Sequence, residues 1–264
     1  MLVMGILNVA PDSFYDGGRW SSVGDAVDFG LQMAADGADI IDVGGESSRP
    51  GARVVSVEEE LDRVIPVVEG LSARCDLPLS VDTTKARVAD AAIAAGASIV
   101  NDISALRFDE GLGEVVARRQ AWVVLMHMQG EPGTMQREPR YDDPVGEIRT
   151  FLEERMEIAE RAGIGRRRMI VDPGIGFGKT LDHNLALLAG LRCFVGLGAP
   201  LLVGLSRKSF LERLLGLPAE ERLVGTVAAN AVAIAHGADI IRVHDVREGR
   251  WTADVAYSAR CSVR

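Results

Sequence analysis

Three segments of this chain repeat one pattern. "DGADIIDVGG" begins at Asp36, "AGASIVNDIS" at Ala95 and "HGADIIRVHD" at His236. Each follows an alanine-rich helical stretch, sets a glycine where the helix should stop, and runs through isoleucine or valine into a polar residue. Glycine takes the left-handed conformation that ends a helix, and the apolar run after it suits a strand buried on both faces. The aligned polar residues, Asp42, Asn101 and Arg242, fall at the C-terminal ends of the predicted strands.

Five more apolar runs complete the rhythm: "LVMGILN", "PLSVD", "AWVVLMH", "RMIVD" and "PLLVG". Amphipathic stretches separate them, among them Asp25 to Ala35, Val57 to Arg74, Val145 to Ala162 and Leu181 to Leu191. Such alternation predicts a parallel sheet. Eight units within 264 residues predict a single (β/α)8 TIM barrel, residues 1–264 forming one domain. A doubly wound open sheet is the runner-up, but no Gly-x-Gly-x-x-Gly fingerprint follows the first strand. The helix-to-strand turns are tiny, whereas the segments Val9–Ser22, Gly44–Ser56 and Met128–Pro144 are long. Long strand-to-helix loops mark the functional face of a barrel.

A formal charge of −9 argues against nucleic acid as a partner, although an anionic small ligand responds to the local field. Cys75, Cys193 and Cys261 are too scattered for a disulfide framework or a zinc site. No signal peptide opens the chain and no apolar run reaches the roughly 18 residues of a membrane span, so a cytoplasmic protein is expected. Of 29 basic residues only Lys85, Lys179 and Lys208 are lysine. Lys85 reads as a surface residue at a helix start and Lys179 as a surface cation. Lys208, inside "SRKS" at a strand-to-helix junction, reads as a ligand-binding residue.

The strand ends, in order, are Asn8, Asp42, Asp82, Asn101, His127, Asp172, the Ser206–Ser209 segment, and Arg242 with His244. Buried polar groups at a barrel mouth can serve the backbone alone, but eight such ends exceed that need. Asp82, Asn101 and Asp172 suit the N–H and carbonyl edges of a flat heterocycle. Arg49, Lys208, Arg242 and His244 form a cationic set, and barrels hold phosphate after strands seven and eight. A phosphorylated heterocycle is the expected ligand. His127 reads as a core histidine bonded to backbone; His183 and His236 read as structural or solvated. "VDPGIGFGKT" resembles a phosphate-binding P-loop, but Pro173 stands where that motif needs its first glycine. Asn8 is a poor metal ligand alone, yet it suits a magnesium ion held mostly by water and phosphate oxygens.

Taken in order, "GILNVAPDSF", "DVGGESSRPG", "SVDT", "NDIS", "LMHMQG", "DPGIGFGK", "GLSRKSF" and "IIRVHDV" closely resemble the dihydropteroate synthase family, from Met4 to about Val246. The resemblance implies condensation of 6-hydroxymethyl-7,8-dihydropterin diphosphate with 4-aminobenzoate, giving dihydropteroate and pyrophosphate. It implies that Asp82, Asn101, Asp172 and Lys208 hold the pterin, with Asp42 and Met126 supporting or lining that pocket. Asn8, Arg49, Arg242 and His244 would bind the diphosphate, Asn8 through Mg2+. Phe14, Ser48, Pro50, Phe177 and Ser209 would enclose 4-aminobenzoate, and Asp16 would face the positive charge developing on the pterin. Asp16, Arg49, Lys208, Arg242 and His244 are thus the implied catalytic set. The glycines after Asp172 would let that loop pass close to the ring. A homodimer is also implied.

Two positions depart from the family pattern: Ala10 replaces the usual threonine, and Ser48 replaces a commoner threonine. The chain opens almost on its first strand, so no N-terminal hairpin is expected beneath the barrel. A methyltetrahydrofolate:corrinoid methyltransferase-like barrel is the nearest alternative, but it needs no cations around a diphosphate. A non-catalytic pterin-binding module is another, opposed by the presence of Phe14, Asp16, Ser48, Arg49 and Pro50.

Overall fold

In the computed structural model, which describes residues 1–9, 22–47 and 53–262, strands and helices alternate along the chain. The first half runs β1 (Leu2–Asn8), α1 (Val23–Ala35), β2 (Ile40–Gly44), α2 (Val57–Ser72), β3 (Leu79–Asp82), α3 (Ala86–Ala94), β4 (Ile99–Asp102) and α4 (Leu112–Arg119). The second runs β5 (Trp122–Met126), α5 (Pro144–Arg161), β6 (Met169–Asp172), α6 (Leu181–Ala189), α7 (Arg192–Val195), β7 (Leu202–Gly204), α8 (Ser209–Leu215), α9 (Leu223–Ala235), β8 (Ile240–Val243) and α10 (Val246–Ser262).

All pairings are parallel, in the order β6-β5-β4-β3-β2-β1-β8-β7. A single bridge between Val171 and Leu201 joins the two outer strands and closes the circle, with the Val171 N–H donating to the Pro200 carbonyl at 3.0 Å. The (β/α)8 barrel expected from the sequence is therefore present, and the open doubly wound sheet is excluded.

The repeated turns work as their sequence requires. Gly37, Gly96 and Gly237 take φ of 101°, 121° and 113°. The alanine after each donates its N–H back into the helix: Ala38 to Met33 at 2.9 Å, Ala97 to Ala92 at 2.9 Å, and Ala238 to Ala233 at 3.0 Å. These bonds satisfy carbonyls that a helix end leaves open. At the helix starts, Ser22, Ser56, Asp143 and Thr180 each accept a backbone N–H on their side chains. The sequence-based helix limits differ from these by less than a turn, as frayed ends and caps lead one to expect.

The core has two parts. The larger lies between strands and helices and includes Leu7, Val43, Val81, Val100, Leu125, Val171, Val203 and Ile241. The smaller fills the barrel itself with Met4, Ile40, Ile99, Val124, Ile170, Leu202 and Ile240. Side chains alternate across a strand, so the residue two beyond an interior one also points inward. That rule fixes what stands above the plug.

Candidate active site

Two steps beyond Ile40, Ile99, Val124, Ile170, Leu202 and Ile240 come Asp42, Asn101, Met126, Asp172, Gly204 and Arg242. Asp82 completes the layer from β3, paired in register with Gly44 and Asn101. An apolar floor thus carries a ring of three carboxyl groups, an amide, a thioether and a guanidinium. Gly204 leaves open space in that ring: a Cβ there would stand 3.8 Å from Lys208 Nζ and 3.9 Å from Arg242 Cβ.

One half of the ring is tightly wired. Arg242 donates through Nε to Asp42 Oδ2 at 2.6 Å and through Nη2 to Asp82 Oδ2 at 2.7 Å. Asn101 Nδ2 donates to Asp42 Oδ2 at 3.0 Å. Asp42 is wholly buried, and its Oδ1 has no hydrogen-bond partner among the described residues. Burial pushes the Asp82 carboxyl up to about 7, a rise that the Arg242 charge opposes and that Asp42 increases. Asn8 ends β1 beside this cluster, its Oδ1 and the Asp82 side chain both flanking Gly44.

The other half is built on the β6–α6 loop. Burial also raises the Asp172 carboxyl, against the nearby Lys208 charge, and its Oδ1 accepts the Gly174 N–H at 2.7 Å. Lys208, at the N-terminal boundary of α8, donates to the Ile175 carbonyl, and its Nζ stands 4.5 Å from the centroid of the Phe177 ring. Burial lowers its ammonium to about 8, with Asp172 opposing. Phe177 packs against the buried cluster of Ile103, Met126, Met128 and Met135. Ser209 is exposed as the first residue of α8. His244 follows β8, and both its N–H and its Nδ1 bond Ser206 Oγ, at 3.2 and 2.9 Å.

The sequence-predicted residues Asn8, Asp42, Asp82, Asn101, Met126, Asp172, Phe177, Lys208, Ser209, Arg242 and His244 therefore stand on one face of the barrel. Phe14, Asp16, Ser48, Arg49 and Pro50 lie outside the described residues.

Three sequence expectations need correction. Lys179 is no surface cation: it is 1 % exposed, and its Nζ reaches His127 Nδ1 at 3.0 Å, the Gly174 carbonyl at 2.8 Å and the Phe177 carbonyl at 2.9 Å. His127 is buried as expected, but its ring bonds this lysine. Lys85 is half-buried at the start of α3 and ion-paired to both Glu46 and Glu60. The loop's glycines also stand hard against protein. A Cβ on Gly174 would fall 1.8 Å from the His127 carbonyl oxygen, and one on Gly178 would fall 2.8 Å from that of Gln129.

Sequence reasoning also passed over Gln136 and Tyr141, which help to hold the loop's backbone. Five successive carbonyls, from residue 174 to residue 178, each accept from a side chain: Lys179, Lys208, Gln136, Lys179 again and Tyr141. Glu60 was missed as well. Its signal was legible, because it shares the inward stripe of α2 with Val64, Val67, Val68 and Leu71.

The sequence pattern of the family described as "Pterin binding enzyme" matches residues 4–244. Dihydropteroate synthase of Escherichia coli (strain K12) is 52% identical over 246 residues, covering 93% of this chain and 87% of that protein. The Xanthomonas albilineans dihydropteroate synthase structure with 4-aminobenzoic acid aligns with TM-score 0.89 at 50% identity, over 99% of this chain and 92% of that one. The same organism's enzyme in complex with 7,8-dihydropteroate aligns with TM-score 0.86 at 48% identity, over 99% and 93% of the two chains.

Proposed function

This chain belongs to the dihydropteroate synthase family of pterin-binding enzymes, and from that premise we propose how its barrel mouth joins 4-aminobenzoate to 6-hydroxymethyl-7,8-dihydropterin diphosphate. The observation that carries the assignment is the single polar ring in which Asp172, Lys208 and Arg242 stand close enough for their charges to perturb one another. Each half of the ring sets a cation among acceptors: Arg242 on Asp42 and Asp82, Lys208 beside Asp172.

Asp172, Asn101 and Asp82 bind the pterin edge, Lys208 joins them on the ring, and Met126 lies beneath it. Asp42 orients Asn101 and Arg242, and its open Oδ1 is an acceptor available to a donor brought by the ligand. Arg242 and His244, with Arg49, take the diphosphate. Asn8 offers a hard amide oxygen, and no group of three or more His, Cys, Asp or Glu is placed to hold a metal among the described residues. That donor set fits a magnesium ion carried mainly by phosphate and water, with Asn8 as its protein ligand. When bound, such an ion neutralises phosphate charge.

Phe177 and Ser209, with Phe14, Ser48 and Pro50, enclose 4-aminobenzoate. Its amine nitrogen is neutral at pH 7 and needs no base to expose a lone pair. The C–O bond to the diphosphate breaks, the electron pair leaves with pyrophosphate, and the dihydropterin stabilises the cationic methylene. The amine then forms the new C–N bond and loses its proton. Arg49, Arg242 and His244 offset the charge on the leaving group, Asp16 faces the cation, and alignment of the two rings supplies the remainder.

No helix among the described residues is long and apolar enough to cross a membrane; we propose a cytoplasmic enzyme. We also place residues 1–264 in one domain and expect a homodimer. The direct test mixes both substrates with magnesium and follows pyrophosphate by a coupled assay. Release that requires 4-aminobenzoate and yields dihydropteroate by mass spectrometry is expected. Release indifferent to the amine would overturn the assignment.

A further inference from the structure

We infer that Lys179 is a positioning residue for this reaction: its buried amine, held by His127 Nδ1 and the carbonyls of Gly174 and Phe177, fixes the loop that carries Phe177 beside Lys208. The inference rests on the dihydropteroate synthase reading of the site, but the geometry behind it does not.

The loop from residue 173 to residue 180 has a turn bond from the Phe177 N–H to the Gly174 carbonyl, at 3.0 Å, and otherwise leans on side chains. Gly174, Gly176 and Gly178 take φ of 65°, 88° and 63°, so carbonyls turn away from one another along it. Each carbonyl from 174 to 178 finds a side-chain donor, and Lys179 is the donor that serves two of them. Three polar atoms meet the lysine nitrogen, as many as it can bond. One acceptor is His127, just beyond β5; the others bracket the segment Gly174–Phe177. A single nitrogen atom therefore ties the Phe177 carbonyl to His127 at the end of the neighbouring strand.

The fit is specific to a lysine. Arginine offers a wider planar fork, and a methionine would fill the stem without any donor. Burial lowers the His127 imidazole to about 2, so the ring stays neutral across the working pH range, and the tautomer with its proton on Nε2 turns the Nδ1 lone pair to Lys179. Burial also drives Lys179 well below the ordinary lysine range, and the Lys208 charge adds to that. The protein retains a costly buried amine here where an apolar residue would pack.

Lys208 grips the same loop from the ligand side, at Ile175. The two lysines have different duties: Lys208 meets ligands, and Lys179 holds the wall on which Phe177 stands. The Gly174 end has a second tie through Asp172 Oδ1, whereas the Phe177 carbonyl depends on Lys179. The aminobenzoate side should therefore suffer more than the pterin side when Lys179 is changed.

The test is steady-state kinetics on Lys179→Met and Lys179→Arg with each substrate varied in turn. KM for 4-aminobenzoate should rise about tenfold or more in the methionine variant, while KM for the pterin diphosphate moves less than about threefold. The arginine variant, which restores donors without the geometry, should recover only part. Equal rises in both KM values, or a fall in kcat that merely tracks the folded fraction, would overturn the role of Lys179 alone. Failure of the unaltered chain to form dihydropteroate would instead overturn the functional reading.

Should the variants not fold, lysine acetylation mapped by mass spectrometry on the unaltered protein decides. Lys179 should be protected with and without pterin diphosphate, and Lys208 should gain protection when that substrate is added. Protection of Lys179 that appears only with the substrate would make it a ligand contact and sink the inference, as would labelling as fast as that of Lys208 in the free enzyme.

Discussion

Asp172 sits where burial and chemistry conflict most sharply. It is 5 % exposed, and burial raises its carboxyl toward the neutral form while Lys208 and the Gly174 N–H favour the charged one. Replacing it by alanine removes the acceptor that a pterin edge would meet. The expected loss is about 1.5–3 kcal/mol, or roughly 10- to 150-fold in pterin affinity by calorimetry. Asp82 and Lys208 shape the pH profile. The Asp82 carboxyl gains its charge as pH rises through about 7, and the Lys208 ammonium loses its charge as pH rises through about 8. A narrow bell in kcat/KM follows, with the acid limb removed in Asp82→Asn. The same Asp82 shift makes its contribution to stability full below 3.8 and lost as pH rises through 7, because the folded chain holds the proton more tightly. At this scale the sequence was a good guide to the strand ends, since period-two alternation is local. It could not show that Arg242 clasps Asp42 and Asp82, because those partners come from three separate strands. It misplaced Lys179 because the acceptors that make burial tolerable are backbone carbonyls, invisible in a list of side chains.

Among elements, α2 and α3 are fastened to the start of the β2–α2 loop by one ionic cluster. Lys85 meets Glu46 and Glu60, Glu46 Oε1 accepts the Val55 N–H at 3.1 Å, and Arg63 donates to the Gly45 carbonyl at 2.8 Å. Glu60 is fully buried, and its Oε1 has no partner among the described residues. Lys85→Met strands that carboxylate and should cost about 3–5 kcal/mol in chemical denaturation. The double change Lys85→Met with Glu60→Leu should recover most of it, because an apolar pair replaces a buried charged one. Loss in the double variant equal to that in the single one would show that packing, not charge, governs this corner. Helices and strands were legible because the Gly-Ala turns and serine caps are written in adjacent residues. The ionic corner was not, apart from the clue that Glu60 interrupts an apolar stripe.

For the whole molecule, α9 and α10 pack side by side and leave Val224, Trp251 and Val255 at 78 %, 61 % and 73 % exposure. Apolar area of that kind is a liability unless another surface covers it. If these helices form the homodimer contact, Val224→Asp combined with Trp251→Glu should shift the protein to monomer in size-exclusion chromatography with light scattering. A dimer that elutes unchanged would place the contact elsewhere, and an unaltered chain that elutes as a monomer would overturn the proposed homodimer. The architecture itself was readable from eight apolar runs, since parallel strands need long crossovers and the loop lengths were consistent throughout.

The closing bridge at Val171 and Leu201 also has a consequence for how this chain can be rearranged. Every other neighbour in the ring is stitched by a run of paired residues, so the barrel is a rolled mat whose two hems meet at one stitch. New chain ends cut near Gly198, where a side chain would meet nothing within 4 Å, would unpick only that stitch. A protein reordered there should keep its polar ring nearly in place, whereas cuts between other staves would tear the weave.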